Sequence, residues 1–382
     1  MKKRILCGII SSAVMAASLF GCAGNTAVSD EPEAAVEDHE PVAKIGVALW
    51  SSTDVLGSRC RELLYYAADA LDVELEFEDH GFSQTDEVAA VERLIADGCQ
   101  GIVICNSSDE VMDSVIDLCD GSGTYLAQCF RTIDRTDSPG VYAKAEESSY
   151  YVGCVHENEI ENGRNTAQMI LNLGNKRIGV IGWVPDDVAW KLRYEGYSIA
   201  VDGANSINRE NKVNLLEPVY AGITYEGGYS AVEKLLDIEP SMDALIVAGG
   251  GGEPLVGALA ALSDKGRSGI VDVVATGFID DLNERMKKGT MVGASGGNHC
   301  DCLMAFMMVY NAILGTDSYT DLSGTYNEVV FPYLYAISPQ DYVEFDEGFY
   351  RKSPYSEKGY KKLSKLSVEG LKEEAVKIKK KW

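Results

Sequence analysis

The chain has 382 residues, with 59 Asp and Glu against 34 Lys and Arg, a formal net charge of −25, and only four His. So acidic a chain is repelled by phosphate backbones, which argues against nucleic acid as a partner, and four His leave little material for a His-rich metal centre. With 46% hydrophobic residues it can bury a sizeable core, which excludes wholesale disorder, and at ~150 residues per domain its length suggests two or three domains.

Met1-Lys2-Lys3-Arg4 is a short positive start, and residues 5–20 form an uncharged, Ala/Ser-rich apolar stretch. That stretch falls short of the ~20 residues of a comfortable membrane span and has the flanks of a signal peptide. It ends in Leu19-Phe20-Gly21-Cys22, which resembles the lipobox of bacterial lipoproteins, where a small residue precedes a diacylated Cys. An ordinary secretory leader with an incidental Cys22 is the alternative. Residues 22–43 are small, polar and acidic, with Pro32 and Pro41, and read as a solvated tether. The expected location is the extracytoplasmic face of the cell membrane, held by lipid on Cys22, with residues 1–21 removed.

From Lys44 an alternation begins. Residues 44–49 are an apolar strand, 54–71 carry apolar residues at helical spacing, 73–77 alternate as a strand and 85–96 are helical. A buried strand (101–104), a helix (110–119) and a strand (125–129) follow, and the rhythm pauses over 141–162. It restarts with helix 163–173, strand 177–182, helix 188–201, strand 213–216 and helix 225–236. Strand 244–248, helix 254–262, strand 271–276, helix 280–287, strand 291–294, a Met-rich helix 300–314 and a late strand 328–336 complete the series. Apolar strands alternating with helices predict an α/β protein of parallel sheets covered on both faces, in two doubly wound lobes.

Setting aside Cys7 and Cys22, eight Cys remain, several in apolar contexts such as Ile104-Cys105 and Leu118-Cys119; no spacing suggests a disulfide framework, and buried thiols are expected. His299-Cys300-Asp301-Cys302 is not a metal motif, because at helical spacing the two Cys point far apart. No metal, cofactor or catalytic constellation is assigned. Residues 351–382 hold eleven Lys and Arg against four acids and form a basic tail. That tail is either an amphipathic helix docking on the acidic body or on anionic lipid, or a solvated extension.

Five motifs in order resemble the sugar-binding proteins of the ribose/galactose type, the receptors of ABC importers. They are the opening Lys44-Ile45-Gly46-Val47-Ala48-Leu49; Tyr151-Val152-Gly153-Cys154-Val155-His156-Glu157-Asn158 with Gly163-Arg164-Asn165-Thr166-Ala167; and Arg193-Tyr194-Glu195-Gly196-Tyr197. Leu255-Val256-Gly257-Ala258-Leu259 and Ala275-Thr276-Gly277-Phe278 complete the set. The resemblance implies a type I periplasmic-binding-protein fold, two lobes joined by three crossovers near 151–157, 294–298 and 327–331. Lobe one would span 44–153 and 297–327, and lobe two 157–294 and 331–345. Repressors of the lactose-repressor type share this core, but a lipobox stands here in place of their DNA-reading headpiece.

Ligand is expected between the lobes, at the carboxyl ends of the strands. Trp50 would offer a flat face to a sugar, or else is a core Trp at the sheet edge. Asp54 would bind ligand hydroxyls or cap the next helix. Arg131 and Arg193 match ligand-orienting arginines of the family; a surface ion pair is the alternative for each. Trp183 and Trp190 would add aromatic walls, Asn158 is a ligand amide or a hinge residue, and Tyr220 is a weaker candidate. Gly249-Gly250-Gly251-Gly252 replaces polar family residues and leaves room, a backbone-lined floor with Glu253 as the candidate acid. Ile279 stands where relatives place an Asp, leaving Asp280 or Asp281 as a substitute or as a helix cap, and Gly296-Gly297 leaves Asn298. Substitution of Trp50 or Arg193 by Ala is expected to weaken binding with little loss of fold. The expected protein is a non-enzymatic, monomeric receptor for a sugar or related solute, partnered by an ABC permease. The alternative is a lipoprotein presenting its ligand to a sensor kinase.

Overall fold

The structure, a computed structural model, describes residues 40–316, 319, 322, 324–347 and 352–379. The leader, Cys22 and nearly all of the acidic tether lie outside the described residues. Among the described residues, no helix is long and apolar enough to cross a membrane.

The first strands and helices alternate as their apolar periods dictate. Strand β1 (Ala43–Leu49) leads to α1 (Val55–Leu71), β2 (Val73–Asp79), α2 (Gln84–Ala96), β3 (Gly101–Ile104), α3 (Asp109–Ser122) and β4 (Tyr125–Cys129). Ser108 caps α3 by accepting from the Val111 N–H, and Gly123 ends it in the left-handed conformation, the Ser-start and Gly-stop chemistry of a helix. The expected pause over 141–162 contains α4 (Pro139–Glu147) and β5 (Tyr151–Glu157). Helix α4 escapes notice because it buries Ala145 and little else, so it carries no apolar stripe.

The second series runs α5 (Glu159–Asn172), β6 (Arg177–Gly182), α6 (Val188–Ile207), β7 (Asn214–Leu215), β8 (Val219–Tyr220), α7 (Tyr225–Ile238) and β9 (Ala244–Val247). It continues through α8 (Glu253–Asp264), β10 (Asp272–Thr276), α9 (Leu282–Lys287) and β11 (Gly293–Gly296). The chain then forms α10 (Cys300–Ile313), β12 (Glu328–Phe331), β13 (Leu334–Ala336), α11 (Pro339–Phe345), α12 (Glu357–Leu363) and α13 (Val368–Lys379).

Two sheets result. Lobe one has the order β12-β5-β4-β3-β1-β2, and lobe two the order β13-β11-β10-β9-β6-β7, with β8 also pairing β6. All pairs are parallel except β11 with β13. The expected single strand 328–336 is broken at Pro332: β12 lies on β5 in lobe one and β13 on β11 in lobe two. The crossings therefore fall slightly later than expected. Strand β5 stays in the lobe-one sheet to Glu157, the second crossing occupies 297–299 and the third passes through Pro332 and Tyr333.

Helices α12 and α13 pack on lobe one and bury Tyr360, Leu363, Leu371, Ala375 and Ile378 in its core. Asn311, buried on α10, fixes the turn between them by donating to the carbonyls of Leu363 and Leu366 at 3.2 and 2.9 Å. Within the described part of the basic tail an apolar stripe thus faces lobe one, and Lys358, Lys361, Lys362, Lys365 and Lys377 lie outward. The eight cysteines from Cys60 to Cys302 are buried free thiols.

Candidate functional site

Each sheet reverses its strand order beside its first strand, and in open α/β sheets ligands collect outside the carboxyl ends at that switch point. Trp50 follows β1 in lobe one and Trp183 follows β6 in lobe two, so the topology places both at the facing switch points. A cavity between the lobes is lined by Trp50, Phe82, Phe130 and Arg131 from lobe one and by Trp183, Arg193 and Gly249 to Gly252 from lobe two. Asn298 and His299 of the second crossing also line it.

The lobe-one wall is an aromatic stack. Trp50 lies parallel to Phe82 with centroids 5.6 Å apart, and Phe130 meets it edge-on at 5.5 Å. Phe82 and Phe130 both adopt positive φ, 60° and 62°, a conformation bulky residues avoid unless their surroundings enforce it. His80 Nδ1 helps by accepting from the Phe82 N–H at 3.2 Å. Trp50 Nε1 donates to Asp54 Oδ2 at 2.6 Å, while Asp54 Oδ1 accepts from the Gly57 N–H at 2.7 Å. Asp54 thus caps α1 and fixes the indole together, and burial pushes its carboxyl up to about 6.

The two arginines are buried and paired. Arg131 Nη2 donates to Asp187 Oδ2 at 2.5 Å, and Nη1 to the Phe130 carbonyl at 2.8 Å. Its Nε is buried without a partner among the described residues. Burial alone would lower the guanidinium pKa, but the Asp187 charge outweighs it and holds Arg131 above its ordinary value. Arg193 grips Glu159 with two parallel bonds, Nε to Oε2 at 2.7 Å and Nη2 to Oε1 at 2.6 Å. It also donates to Tyr333 Oη and the Ala248 carbonyl, and its guanidinium lies 5.2 Å over the Trp183 ring.

Polar contacts among the described residues join the lobes directly. They include Arg131 to Asp187, Arg59 Nη2 to Asp280 Oδ1 at 2.8 Å, and the Leu56 N–H to the Gly251 carbonyl at 2.9 Å. The glycine run permits this approach. A Cβ on Gly251 would sit 1.9 Å from Asp54 Oδ2, and one on Gly252 2.7 Å from Val55 Cβ. The space freed by the absent side chains is therefore occupied by the start of α1 from the opposite lobe. The cavity measures about 60 Å³, below the ~150 Å³ that benzene fills in an engineered protein cavity.

Of the residues singled out from sequence, Trp50, Arg131, Trp183, Arg193 and Asn298 line the cavity, as do the four glycines. Asp54 stands behind Trp50. Trp190 backs Trp183 edge-on at 5.9 Å, and Tyr220, 40% exposed, meets Trp190 on its other side. Asn158 is exposed and caps α5 by accepting from the Glu161 N–H. Glu253 begins α8 behind the glycine loop, and Asp280 is committed to Arg59. Asp187, Glu159, Tyr333 and Phe82 escaped sequence reading. Asp187 alone carried a usable signal, as the N-cap of α6 three residues before Trp190.

Two mostly parallel sheets facing one another across an aromatic cleft define a two-lobed binding protein. The chain belongs to the periplasmic binding protein domain family, whose model matches residues 45–315. Similar solved structures include a Mycobacterium smegmatis protein in complex with β-D-fucofuranose (TM-score 0.66, 16% identity, 81% of this chain and 96% of that one). Another is an ABC transporter solute-binding protein of Bacillus halodurans with bound myo-inositol (TM-score 0.62, 18% identity, 81% and 99%). A third is an ABC transporter solute-binding protein of Agrobacterium vitis bound with α-D-tagatopyranose (TM-score 0.64, 13% identity, 78% and 95%). The HTH-type transcriptional regulator CelR of Thermobifida fusca is 32% identical over 155 residues, 39% of this chain and 42% of CelR.

Proposed function

We propose that this protein is the receptor of an ABC importer, holding a sugar or a related flat-faced solute between its lobes at the extracytoplasmic side of the membrane, anchored through lipid on Cys22. The observation that carries the reading is Arg131 Nε, a buried donor without a partner among the described residues, on the wall of an aromatic cavity to which both lobes contribute. A sugar ring has apolar faces for Trp50, Phe82 and Trp183 and an edge of hydroxyls for a charged donor, whose hydrogen bond is worth ~1.5–3 kcal/mol. Ligand touching both lobes binds the closed state better, and that differential affinity drives closure. No catalytic role is assigned to the chain.

A thermal-shift screen against sugars, nucleosides and amino acids tests the ligand class, since ligand at ~100 Kd adds ~2.7 kcal/mol to stability. A sugar that shifts wild type but not Arg131→Ala supports the reading; stabilisation by amino acids alone overturns it. Incorporation of a labelled lipid precursor that survives Cys22→Ala would refute the anchor. Uptake of the identified ligand unchanged in cells lacking the protein would refute the importer role.

A further inference from the structure

Outside the cleft, the edge pair of lobe one assembles three donor side chains of different chemistry. Cys154 and His156 project from the same face of β5, two residues apart, and Glu328 of β12 is the register partner of Cys154. One ligand atom from each, a thiol sulfur, a ring nitrogen and a carboxylate oxygen, lies within 4.8 Å of the other two. Tetrahedral zinc with ligand bonds of ~2.0–2.3 Å needs donor separations of this order. The sulfur is buried, while the His156 and Glu328 side chains are 16% and 44% exposed, so an ion can reach the group and keep a water.

The hydrogen-bond roles add a second observation. His156 Nδ1 faces the Glu157 carbonyl at 3.0 Å and Nε2 faces Glu328 Oε1 at 2.8 Å. Both neighbours are acceptors, and a neutral ring has one N–H. With a metal, the Glu157 carbonyl keeps Nδ1 protonated and turns the Nε2 lone pair toward the ion, the usual support of a ligating His. Thr132 Oγ1 lies 3.5 Å from Cys154 Sγ and can donate to a thiolate. The nearby cation is Lys372 of α13.

We propose that Cys154, His156 and Glu328 bind Zn²⁺, with water as the fourth ligand, and so clamp β12 to β5. A soft sulfur, an imidazole and a carboxylate together suit zinc rather than magnesium or calcium. On binding, the Cys154 S–H bond breaks and the proton that fills the His156 Nε2–Glu328 hydrogen bond is displaced; both protons pass to solvent as sulfur–zinc, nitrogen–zinc and oxygen–zinc bonds form, and thiolate and carboxylate neutralise the ion. Sequence reading assigned no metal site, because Glu328 lies far along the chain from the two β5 ligands.

Co²⁺ titration of chelator-treated full chain tests this. One equivalent should produce a thiolate-to-cobalt charge-transfer band that Zn²⁺ abolishes, unchanged in Cys99→Ser and lost in Cys154→Ser. No band in wild type, or the same band in Cys154→Ser, overturns the proposal. Where circular dichroism shows Cys154→Ser unfolded, Glu328→Gln on the exposed side of the site decides. A weaker affinity for Co²⁺ supports the site, and an unchanged one overturns it.

Discussion

Arg131 of lobe one and Asp187 of lobe two form a buried ion pair at 2.5 Å, so a charged contact between the lobes is anchored in the wall of the cleft. Neither charge can be left dry and alone. In Asp187→Ala, Arg131 becomes an unpaired buried cation, a loss of about 3–5 kcal/mol if the lobes stay shut. Opening rehydrates the guanidinium and relieves that loss. The expected result is a larger radius of gyration by solution X-ray scattering with a smaller change in Tm; scattering identical to wild type would contradict it.

Gly251 sits at φ 83° with no room for a Cβ beside Asp54. Gly251→Ala strains its own loop by roughly 1 kcal/mol, while the added carbon holds α1 of lobe one away. Ligand affinity should fall at least tenfold by calorimetry. An Asp54→Ala, Gly251→Ala double variant should recover part of the loss relative to Gly251→Ala alone, because the clashing carboxyl is gone.

Arg193 and Trp50 separate. The sequence predicts that either truncation spares the fold, but Arg193 is locked into a buried two-point pair with Glu159 and bonded to Tyr333 and the Ala248 backbone. Its replacement by Ala should lower stability by about 3–5 kcal/mol. Trp50→Ala removes an aromatic wall at the cavity and should weaken binding with a smaller drop in urea midpoint. Equal urea midpoints for the two variants would refute this distinction.

Burial pulls His80 down to about 4 from 6.5. A depressed folded-state pKa contributes stability that is present above 6.5 and lost as pH falls toward 4, about 3 kcal/mol over the full window. Asp54, raised to about 6, has the opposite sign: its contribution is present below 3.8 and lost as pH rises through 6. Protonated His80 cannot accept from the Phe82 N–H, so acid should release Phe82 from the Trp50 stack. Tryptophan fluorescence and urea midpoints between pH 7 and 4 report this, and His80→Gln should flatten the acid side of the profile. An unchanged profile in that variant would count against the assignment.

The alternation of strands and helices was legible because buried parallel strands leave continuous apolar runs, as in Ile102-Val103-Ile104. The positions of Trp50 and Trp183 were legible for a related reason: residues that end the first strand of each sheet face the switch point. The glycine run reads from sequence as a backbone floor, and its four residues line the cavity; that it also seats Asp54 and Val55 was hidden, because close approach between lobes leaves no local pattern. The partners of the two arginines were hidden in the same way. Asp187 lies 56 residues from Arg131, and Tyr333 lies 140 from Arg193. Helix α4 was invisible for want of an apolar stripe, and the split of 328–336 into two strands rested on a single proline.

The docking of α12 and α13 on lobe one bears on the order of assembly. Lobe two obtains all but one of its strands from residues 177–296, a nearly continuous segment. Lobe one needs β12 and a helical cover that includes Leu371 and Ile378 to close the core begun by β1. Loops that long are slow to close and their contacts form late. A chain emerging from its amino end therefore completes its second lobe before its first, and the cleft comes into being only when the basic helices settle.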